Sequence, residues 1–511
     1  MHQPYYKNLL TRESSLPWVR LHGVKDYLDM AKILESYPNI HQTLNIVPSL
    51  IEQIEDYRSN TVKEKFFDLS KKPAKDLTSQ DKDFILQNFF FINKDSVISI
   101  HPRYYELFFK KSAKKDFTEQ DFLDLQVWFN LAWIDPYFRQ QMPELKSIVN
   151  KARFFNEEEK RLVLDKHIEI LGQIIPVYRK LIENNQIELS VSPYYHPILP
   201  LLYNSDIAKE ANPKITLPKF KFSYAQDVKA QINDALNFYK SMFGVLPKGM
   251  WPSEQAVSEQ IIPFIIQSGI NWIVADEGIL FKSLKKGKRV PQLLYKPYLL
   301  KRREGELNLI FRDRNLSDLL GFVYYNWSAE AAVNDLLGHL ENINRAFKQE
   351  DALVTIAMDG ENAWEYYRND GHDFLELLYA RLSESKTIKA VTISEYLSSF
   401  SRNGSNIKYL AAGSWIYSNF GKWFGTPIKM RAWEYLTRAH KDLEDIIKSR
   451  PSGINLDLAQ KQMYICEGSD WFWWYGEDPN GDFDKLFRMH LSNLYTILGK
   501  DPPEYLKAPL I

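Results

Sequence analysis

A carboxylate at the end of a strand-like run is the most informative chemical feature of this sequence. Residues 353–358 read LVTIAM and are followed by Asp359 and by Gly360, which permits a sharp turn. If alternate residues of the run, starting with Val354, face covering helices, Asp359 points to the other side, toward a site. Glu361 then offers a second polar group that hydrogen-bonds a substrate or supports Asp359. The alternative is that Asp359 caps a following helix.

A second carboxylate, Glu254, follows a tryptophan in the segment PKGMWPSEQAVSEQ. The ring of Trp251 offers an apolar face on which a pyranose stacks, while an acid three residues later reaches a glycosidic bond. The alternative is that Glu254 caps the start of a helix. Glu259 is a weaker candidate, because it falls further into the predicted helix. We therefore predict that Glu254 and Asp359 form the catalytic pair.

Two histidines lie in segments that are rich in proline and tyrosine. His196 is part of VSPYYHPILPLL, and His2 opens the chain together with Gln3 in HQP. A neutral imidazole in such a loop can hydrogen-bond a sugar hydroxyl, and the alternative is a core histidine with satisfied hydrogen bonds. No other His or Cys stands at metal-ligand spacing from His196, so no metal is predicted.

Aromatic residues occupy every position from Trp471 to Tyr475 in the segment GSDWFWWYGED. Rings in a loop with polar groups at its edges form a platform on which sugars stack, and we assign Trp471 and Trp473 to it. Trp415, in GSWIYSN, has a similar setting. The alternative for all three rings is packing in the core.

The elements that must position these residues form three regions. Between about residues 187 and 397, short β-rich runs alternate with amphipathic stretches, which predicts βα units and a parallel sheet or barrel with its site at the C-terminal strand ends. LVTIAM and AVTISEYL are two of the predicted strands, and IHQTLNIVPSL reads as a buried strand with a helix starting at Pro48 or Ser49. We predict a catalytic barrel over residues 1–397, with a helical insertion at about 50–186, and a helical domain over residues 398–511.

Composition excludes several classes of protein. The 511 residues are 45% hydrophobic, enough for a large core, and 65 Lys and Arg balance 65 Asp and Glu, so no basic surface for nucleic acid is expected. No apolar run reaches the roughly 20 residues of a membrane helix. The polar start carries no leader, and the single cysteine, Cys466, fits a reducing compartment, which favours the cytoplasm. No Gly-rich phosphate loop follows a strand, so no cofactor is predicted.

Five segments together resemble the motifs of glycoside hydrolase family 57, a family of α-glucan-active enzymes. In family order they are HQPYY, VSPYYHPILPLL, GMWPSE, MDGENAWE, and GSW with AWEYL at residues 432–436. The resemblance spans nearly the whole chain, although residues 50–186 contribute little to it. Only Met1 precedes HQP, where family members usually carry a hydrophobic strand. We therefore expect either a cropped or misassigned start or a shortened first strand.

The resemblance implies an incomplete TIM-like barrel of seven βα units, (β/α)7, with a helical domain that completes the cleft. It implies a retaining double displacement in which Glu254 is the nucleophile and Asp359 the general acid and base, with carboxyl groups about 5 to 5.5 Å apart. Their surroundings must then push the two pKa values apart. The residues expected to bind the glucan are His2, Gln3, His196, Trp251, Glu361, Trp364, Trp415, Trp471 and Trp473.

Three functions follow from these features. The DGEN form of the fourth motif favours an α-amylase or amylopullulanase that hydrolyses α-1,4 links and, as a second linkage, α-1,6 links. A 4-α-glucanotransferase or a branching enzyme would use the same two carboxylates with a sugar hydroxyl as acceptor. A non-catalytic glucan-binding protein is disfavoured by the intact pair Glu254 and Asp359. A deacetylase-like barrel would need a metal-binding triad of His and Asp, which the spacing does not provide.

Overall fold

A computed structural model describes residues 1–347, 351–361, 363–400, 405–478 and 481–510. Its strands are β1 (Glu13–Ser14), β2 (Gln42–Asn45), β3 (Lys63–Glu64), β4 (Ile187–Ser190), β5 (Gly249–Met250), β6 (Trp272–Asp276), β7 (Tyr298–Arg302), β8 (Gly305–Arg312) and β9 (Ser405–Ile407). β1 pairs with β3, β2 pairs with β4, and a five-stranded sheet has the order β5-β6-β8-β7-β9.

Parallel strands follow one another in chain order across the centre of the molecule. β2 pairs with β4, β5 pairs with β6, and β6 pairs with β8, all in parallel. An isolated parallel bridge between Val191 and Met250 joins β4 to β5. β7 is the antiparallel partner of β8. These pairings confirm the predicted α/β fold and bring the C-terminal ends of five strands to one side, although the ladders of the described residues do not close into a barrel.

The run LVTIAM, predicted to be a strand, is described as irregular chain. Its backbone touches the end of β8, since the Asp313 N–H donates to the Thr355 carbonyl at 2.8 Å. Both backbone groups of Ala357, however, bond side chains: the carbonyl accepts from Arg312 Nη1, and the N–H donates to Ser317 Oγ, each at 3.1 Å. The strand prediction was wrong here because side chains occupy the groups that a ladder would use.

The second run, AVTISEYL, contains a helix instead of a strand. The α-helix begins at Ile393 and ends at Phe400. Thr392 and Glu395 form the reciprocal bonds of a capping box, with Thr392 N–H to Glu395 Oε2 at 2.8 Å and Glu395 N–H to Thr392 Oγ1 at 3.2 Å. This T-x-x-E signature outweighs the β-branched residues before it, so the strand prediction was wrong.

Helices fill most of the span between β2 and β4, where the sequence predicts a helical insertion. The first of them begins at Pro48, as predicted, and follows β2, whose residues are only partly buried. The helices up to β4 are Trp18–His22, Asp29–Lys32, Pro48–Arg58, Lys65–Lys71, Ser79–Asn88, Pro102–Ser112, Glu119–Trp133, Pro136–Gln141, Pro143–Lys151 and Glu157–Glu183.

The remaining helices cover the parallel strands and build the C-terminal region. Beside the strands lie Leu199–Tyr203, Ala208–Ala211, Ala225–Phe243, Ile262–Gln267, Glu277–Ser283, Pro291–Leu294, Arg314–Phe322, Ala329–Ala346, His372–Glu384 and Ile393–Phe400. The C-terminal region contains Pro427–Ser449, Leu456–Cys466, Ser469–Trp474 and Asp482–Ile497. Over the described residues, each helix is too short or too polar to cross a bilayer.

A small apolar cluster fills the space enclosed by the strands. Its buried members are Trp272 and Val274 on β6 and Ile310 on β8, with Ile393 and Leu397 packed against them. The helix Ile393–Phe400 lies at the N-terminal strand ends, where its first N–H donates to Thr43 Oγ1 at 3.1 Å and Ser394 Oγ accepts from Trp272 Nε1 at 3.1 Å. This helix covers the N-terminal ends of the strands, and the opposite, C-terminal ends stay open.

Candidate functional site

A cavity of about 2020 Å³ opens at the C-terminal ends of the parallel strands and extends between them to the helix Ile393–Phe400. It is lined by side chains that follow successive strands, as is typical of sites built on parallel sheets and barrels. Both predicted catalytic carboxylates and most of the predicted sugar-binding residues line it: His2, Gln3, His196, Trp251, Glu254, Asp359, Glu361, Trp364, Trp415 and Trp473.

Glu254 is held in a strained turn directly after β5. Its backbone has φ 58°, and the next residue, Gln255, has φ 49°, both in the left-handed region that non-glycine residues rarely adopt. The turn is tied to the fifth-motif segment twice: the Trp415 N–H donates to the Glu254 carbonyl at 3.1 Å, and Val257 pairs with Gly413. Trp415 Nε1 also donates to Glu254 Oε2 at 2.7 Å, which fixes the carboxyl group itself.

The protein around Glu254 raises the pKa of its carboxyl group, so this group binds its proton more tightly than it would in water. Burial raises the pKa of its carboxyl group, and the negative charge of Asp359 raises it further, while His2 and the Trp415 N–H lower it, with a net pKa of about 8. Because the charge of Asp359 contributes to this increase, moving the proton to Asp359 lowers the pKa of Glu254.

Asp359 lies in the same cavity but is far more exposed than Glu254. It follows the irregular segment 353–358, whose side chains are all partly exposed. The cavity lining includes this whole segment, so Asp359 stands toward the site and not on the covering helices. Among the described residues, the next helical turn is the 3₁₀ segment Trp364–Tyr366.

His2, His196 and Asp470 form one polar cluster beside Glu254. The two imidazole rings stack with centroids 3.8 Å apart, and His2 Nε2 lies 2.8 Å from Asp470 Oδ1. Burial lowers the pKa of His2, but Asp470, Glu254 and Glu361 outweigh it and raise it to about 9. Burial and the charge of His2 lower the pKa of His196, whose Nδ1 lies 3.0 Å from Ser469 Oγ. A cationic and a neutral imidazole thus face the cavity together.

One donor atom from each of these three residues lies within 4.8 Å of the other two, as in a metal site. A protonated imidazole has no free lone pair for a metal, however, and the raised pKa of His2 keeps its ring protonated at neutral pH. Asp470 already compensates this charge. The chemistry of the trio therefore fits hydrogen bonding to hydroxyl groups better than metal binding.

Glu361 and Gln3 line the cavity, but they are almost fully buried and their hydrogen bonds go to the N-terminal segment. Glu361 is 3% exposed, and its Oε1 accepts from the His2 backbone N–H at 2.8 Å. Gln3 is 8% exposed, and its Oε1 accepts from the Tyr6 hydroxyl at 2.9 Å. Their positions suit holding the N-terminal segment, and with it the His2 ring, in place.

The predicted tryptophans divide between the cavity and the core. Trp251 and Trp415 meet edge to face with centroids 5.6 Å apart, and Trp473 lies at the cavity wall beside Trp423. Trp364 lines the cavity but is only 6% exposed. Trp471 is 1% exposed, donates Nε1–H to the Ile465 carbonyl at 2.9 Å, and does not line the cavity. Its assignment to sugar stacking is therefore corrected to core packing.

Sequence reasoning missed Arg312 at the end of β8. Its guanidinium group lies 4.9 Å from the centroid of the Trp415 ring, and its Nε donates to Asp276 Oδ2 at 3.0 Å. It therefore supports the ring that in turn holds Glu254. The sequence pattern that could have identified Arg312 is the one that identified Asp359: an apolar run, here LNLIF, that is followed by a charged residue. Glu259, the rival of Glu254, is instead paired with Arg302 at 2.6 Å.

Parallel strands with carboxyl groups at their C-terminal ends define this chain as an α/β protein with its site in the usual place for that class. The model of glycosyl hydrolase family 57 matches residues 1–408, most of the chain. The chain belongs to that family, which confirms the resemblance found in its motifs.

Individual relatives are distant. An alpha-amylase of Pyrococcus horikoshii is 23% identical over 327 residues, which are 63% of this chain and 43% of that protein. A 4-alpha-glucanotransferase of Thermococcus litoralis is 23% identical over 256 residues, 49% of this chain and 32% of that protein. The chain thus spans less than half the length of these curated relatives.

A solved structure reproduces the fold over nearly the whole chain. The branching enzyme of family 57 from Thermococcus kodakaraensis superposes with a TM-score of 0.63 at 16% identity, covering 97% of this chain and 88% of that one. At this identity the likeness establishes the fold alone.

Proposed function

We propose that this protein is a retaining enzyme that cleaves α-1,4-linked glucans, and α-1,6 links as a second linkage, by double displacement at Glu254. The observation that carries the proposal is the environment of that carboxyl group. It is buried, fixed by Trp415 Nε1–H at 2.7 Å, and coupled through its pKa to the charge of Asp359 in one cavity. Both residues stand where the third and fourth family motifs place the catalytic pair.

The first step needs one proton on the pair. With the proton on Asp359, the Glu254 carboxylate attacks the anomeric carbon, the glycosidic bond breaks, and Asp359 protonates the leaving oxygen. In the second step Asp359 takes a proton from the incoming hydroxyl group as its oxygen attacks the anomeric carbon and displaces Glu254. The effect of the Asp359 charge on the pKa of Glu254 suits this exchange of roles.

The remaining side chains of the cavity suit a sugar ring. The imidazoles of His2 and His196, with Asp470, offer donors and acceptors to hydroxyl groups, and His2 contributes a positive charge close to Glu254. The rings of Trp251 and Trp473 offer apolar faces. Trp364, Glu361 and Gln3 complete the wall.

The family barrel of seven βα units is part of the same proposal. Five strands already stand in order, and two further segments adjoin them. Met1 lies beside the end of β2, where its nitrogen donates to the Asn45 carbonyl at 2.8 Å and its carbonyl accepts from Val47 at 3.0 Å. The segment 353–358 adjoins β8, and Gly360 at its end lies next to the Met1 side chain. The seven segments would thus form a ring.

Hydrolysis and transfer differ only in the acceptor. The similarity to an alpha-amylase supports water as the acceptor in this protein. The similarity to a glucanotransferase and to a branching enzyme supports a sugar hydroxyl as the acceptor. The specific observation for transfer is Tyr417, which lines the cavity with its side chain 83% exposed and would offer a ring to an acceptor sugar.

The test is product analysis after incubation of the purified protein with maltoheptaose, beside the variants Glu254→Gln and Asp359→Asn. Shorter maltooligosaccharides alone indicate hydrolysis, and longer ones as well indicate transfer, provided that both variants lose turnover. Absence of products on every α-glucan tested, or full activity in either variant, would reject this mechanism and favour a binding protein.

A further inference from the structure

Three aromatic rings that belong to none of the predicted sugar-binding residues stand at the rim of the cavity. Phe322 is 72% exposed, Tyr366 is 49% exposed, and Tyr325 is partly exposed. All three line the cavity. A single exposed ring is common on a protein surface, but a group of exposed rings marks a binding surface. We call Phe322, Tyr325 and Tyr366 the aromatic shelf.

Two segments that follow neighbouring parts of the site build the aromatic shelf. Phe322 ends the helix Arg314–Phe322, which follows β8, and Tyr325 lies in the next 3₁₀ turn. Tyr366 ends the 3₁₀ turn at the end of the fourth motif. The rings of Tyr325 and Tyr366 meet with centroids 5.6 Å apart. The shelf is therefore continuous with the cavity that holds Asp359.

Hydrogen bonds beneath the aromatic shelf fix its two segments. The hydroxyl group of Tyr367, a residue that is 6% exposed, donates to the Leu320 carbonyl at 2.6 Å and so joins one segment to the other. Ser96 Oγ donates to the Glu365 carbonyl at 2.8 Å, which ties the turn that carries Tyr366 to the helical insertion. A surface whose backbone is already fixed loses little conformational freedom when a ligand binds.

Polar groups beside the aromatic shelf suit a sugar better than an apolar protein surface. Asp318 precedes Phe322 by one turn on the same face of its helix, lines the cavity, and has a side chain that is 46% exposed. Arg314, 35% exposed, lines the cavity on the same helix. A pyranose can stack its apolar face on a ring while its hydroxyl groups bond a carboxylate. An apolar partner would instead remove water from Asp318 and Arg314 without replacing its hydrogen bonds.

The position of the aromatic shelf relative to Tyr417 indicates the length of the ligand. The shelf follows β8, to which the Asp359 segment is bonded, whereas Tyr417 follows Trp415, which is bonded to the Glu254 turn after β5. β6 lies between β5 and β8 in the sheet. Exposed rings thus stand on the Asp359 side and on the Glu254 side. A chain that contacts both sets of rings extends beyond the carboxyl pair in both directions.

We propose that the aromatic shelf binds glucose units remote from the bond that is cleaved, so that the preferred substrate is a long α-glucan chain and not a short maltooligosaccharide. This inference rests on the function proposed above and adds a chain length to it. The family motifs report only the residues around the carboxyl pair, whereas Phe322 and Tyr325 lie outside all five motifs.

The affinity for amylose, measured by calorimetry, tests the aromatic shelf directly. The measurement uses the Glu254→Gln background, so that no chain is cleaved. Adding Tyr325→Ala and Tyr366→Ala together should raise the Kd for amylose at least about tenfold and the Kd for maltotriose less than about twofold. Trp327→Ala is the matched control, because Trp327 is 44% exposed in the same stretch but does not line the cavity, and it should leave both Kd values unchanged. An unchanged amylose Kd in the double variant, or an equal loss for maltotriose, would overturn the proposal.

Turnover separates a failure of the aromatic shelf from a failure of the proposed function. With Glu254 intact, the same two substitutions should lower kcat/KM on amylose at least about tenfold and leave turnover of α-glucosyl fluoride, which reaches only the carboxyl pair, within about twofold. An equal loss on both substrates would mean that the rings only support the fold, and would overturn the proposal. Wild-type protein that turns over neither substrate would reject the function of the carboxyl pair, and the amylose Kd would still decide for or against the shelf. A dimer that dissociates in the double variant, with amylose affinity unchanged, would assign the shelf to a second copy of the chain and overturn the proposal as well.

Discussion

The two carboxyl groups proposed as the catalytic pair, those of Glu254 and Asp359, are held in opposite ways. Glu254 lies in a strained turn, is 8% exposed, and is bonded to the fifth-motif segment through both backbone and side chain. Asp359 ends an irregular segment whose side chains are all partly exposed and whose described backbone bonds include Leu353 N–H to the Tyr295 carbonyl and Asp313 N–H to the Thr355 carbonyl. Under the proposed mechanism the nucleophile is the more buried and more constrained of the two carboxyl groups, and the acid is the more exposed one. We expect disturbances on the Glu254 side to cost more than those on the Asp359 side.

The largest effect is expected from the carboxyl groups themselves. Glu254→Gln removes the nucleophile and should lower kcat on maltoheptaose by more than about 10³-fold, while Asp359→Asn should lower it by about 10²–10⁴-fold. Asp359→Asn should recover the first step on an α-glucosyl fluoride, whose leaving group needs no proton, and Glu254→Gln should not. Equal recovery in both variants would show that the two roles are not separate.

A smaller loss of activity is expected when only the hydrogen bond that fixes the Glu254 carboxyl group is removed. Trp415→Phe keeps a ring but removes the N–H that donates to Glu254 Oε2 at 2.7 Å. A hydrogen bond to a charged group is worth about 1.5–3 kcal/mol, so kcat/KM should fall about 10–100-fold. Because this donor lowers the pKa of Glu254, its loss should also move the alkaline decline in activity to higher pH.

Trp473→Phe is the matched control for that variant. Trp473 lines the same cavity, and its ring contacts Trp423 and Lys422. Its pH profile should coincide with that of the wild type. A shift of the same size in both variants would mean that Trp415 acts only through general packing.

The pH dependence of activity tests the shared proton. Glu254 has a pKa of about 8, raised by burial and by the charge of Asp359. Above that pH Glu254 loses the proton that the mechanism passes on to the leaving oxygen, so kcat/KM should fall about tenfold per pH unit. Initial rates across pH 5 to 10 measure this. An activity that stays constant to pH 10 would exclude a proton shared with this pKa.

The smallest loss of activity is expected from a substitution at Gly360, which follows Asp359 and packs against Met1 and Met30. A Cβ atom at Gly360 would stand 2.8 Å from Met1 Cγ and 3.1 Å from Met30 Cε, both in flexible side chains that can move. Gly360→Ala should therefore lower kcat/KM only about 2- to 5-fold. Gly338→Ala, at a helical glycine with open space around it, serves as control and should leave activity unchanged. A loss above about 100-fold in Gly360→Ala would show that the Asp359 segment is as rigid as the Glu254 turn.

The gathering of the candidate site residues in one cavity was predictable, because their residue types carry their own signals. Glu254 beside Trp251, Asp359 after an apolar run, and the histidines among prolines all line one cavity, as expected. The parallel strands β4, β5 and β6 were also recognisable from their short apolar runs.

Other features depend on contacts that no local pattern reports. The Thr392–Glu395 capping box starts a helix in a run of β-branched residues that was predicted to be a strand. The side chains of Arg312 and Ser317 bond the backbone carbonyl and N–H of Ala357, which a strand would use for its ladder. In the helix Ser469–Trp474, two tryptophans that stand two residues apart point in different directions, so Trp471 is in the core while Trp473 reaches the cavity. The division into a catalytic barrel and a C-terminal domain, and the cytoplasmic location, stay predictions.

The most direct measurement is to trap the covalent intermediate. The protein would be incubated with a fluorinated α-glucosyl fluoride, which forms the glycosyl-enzyme readily but hydrolyses it slowly, and the labelled peptide would be sequenced by mass spectrometry. We predict a single glucosyl ester on Glu254, formed in the wild type and absent in Glu254→Gln. A label on Asp359 or Glu361, or turnover of an α-glucan without any covalent intermediate, would contradict the assignment of Glu254 as the nucleophile.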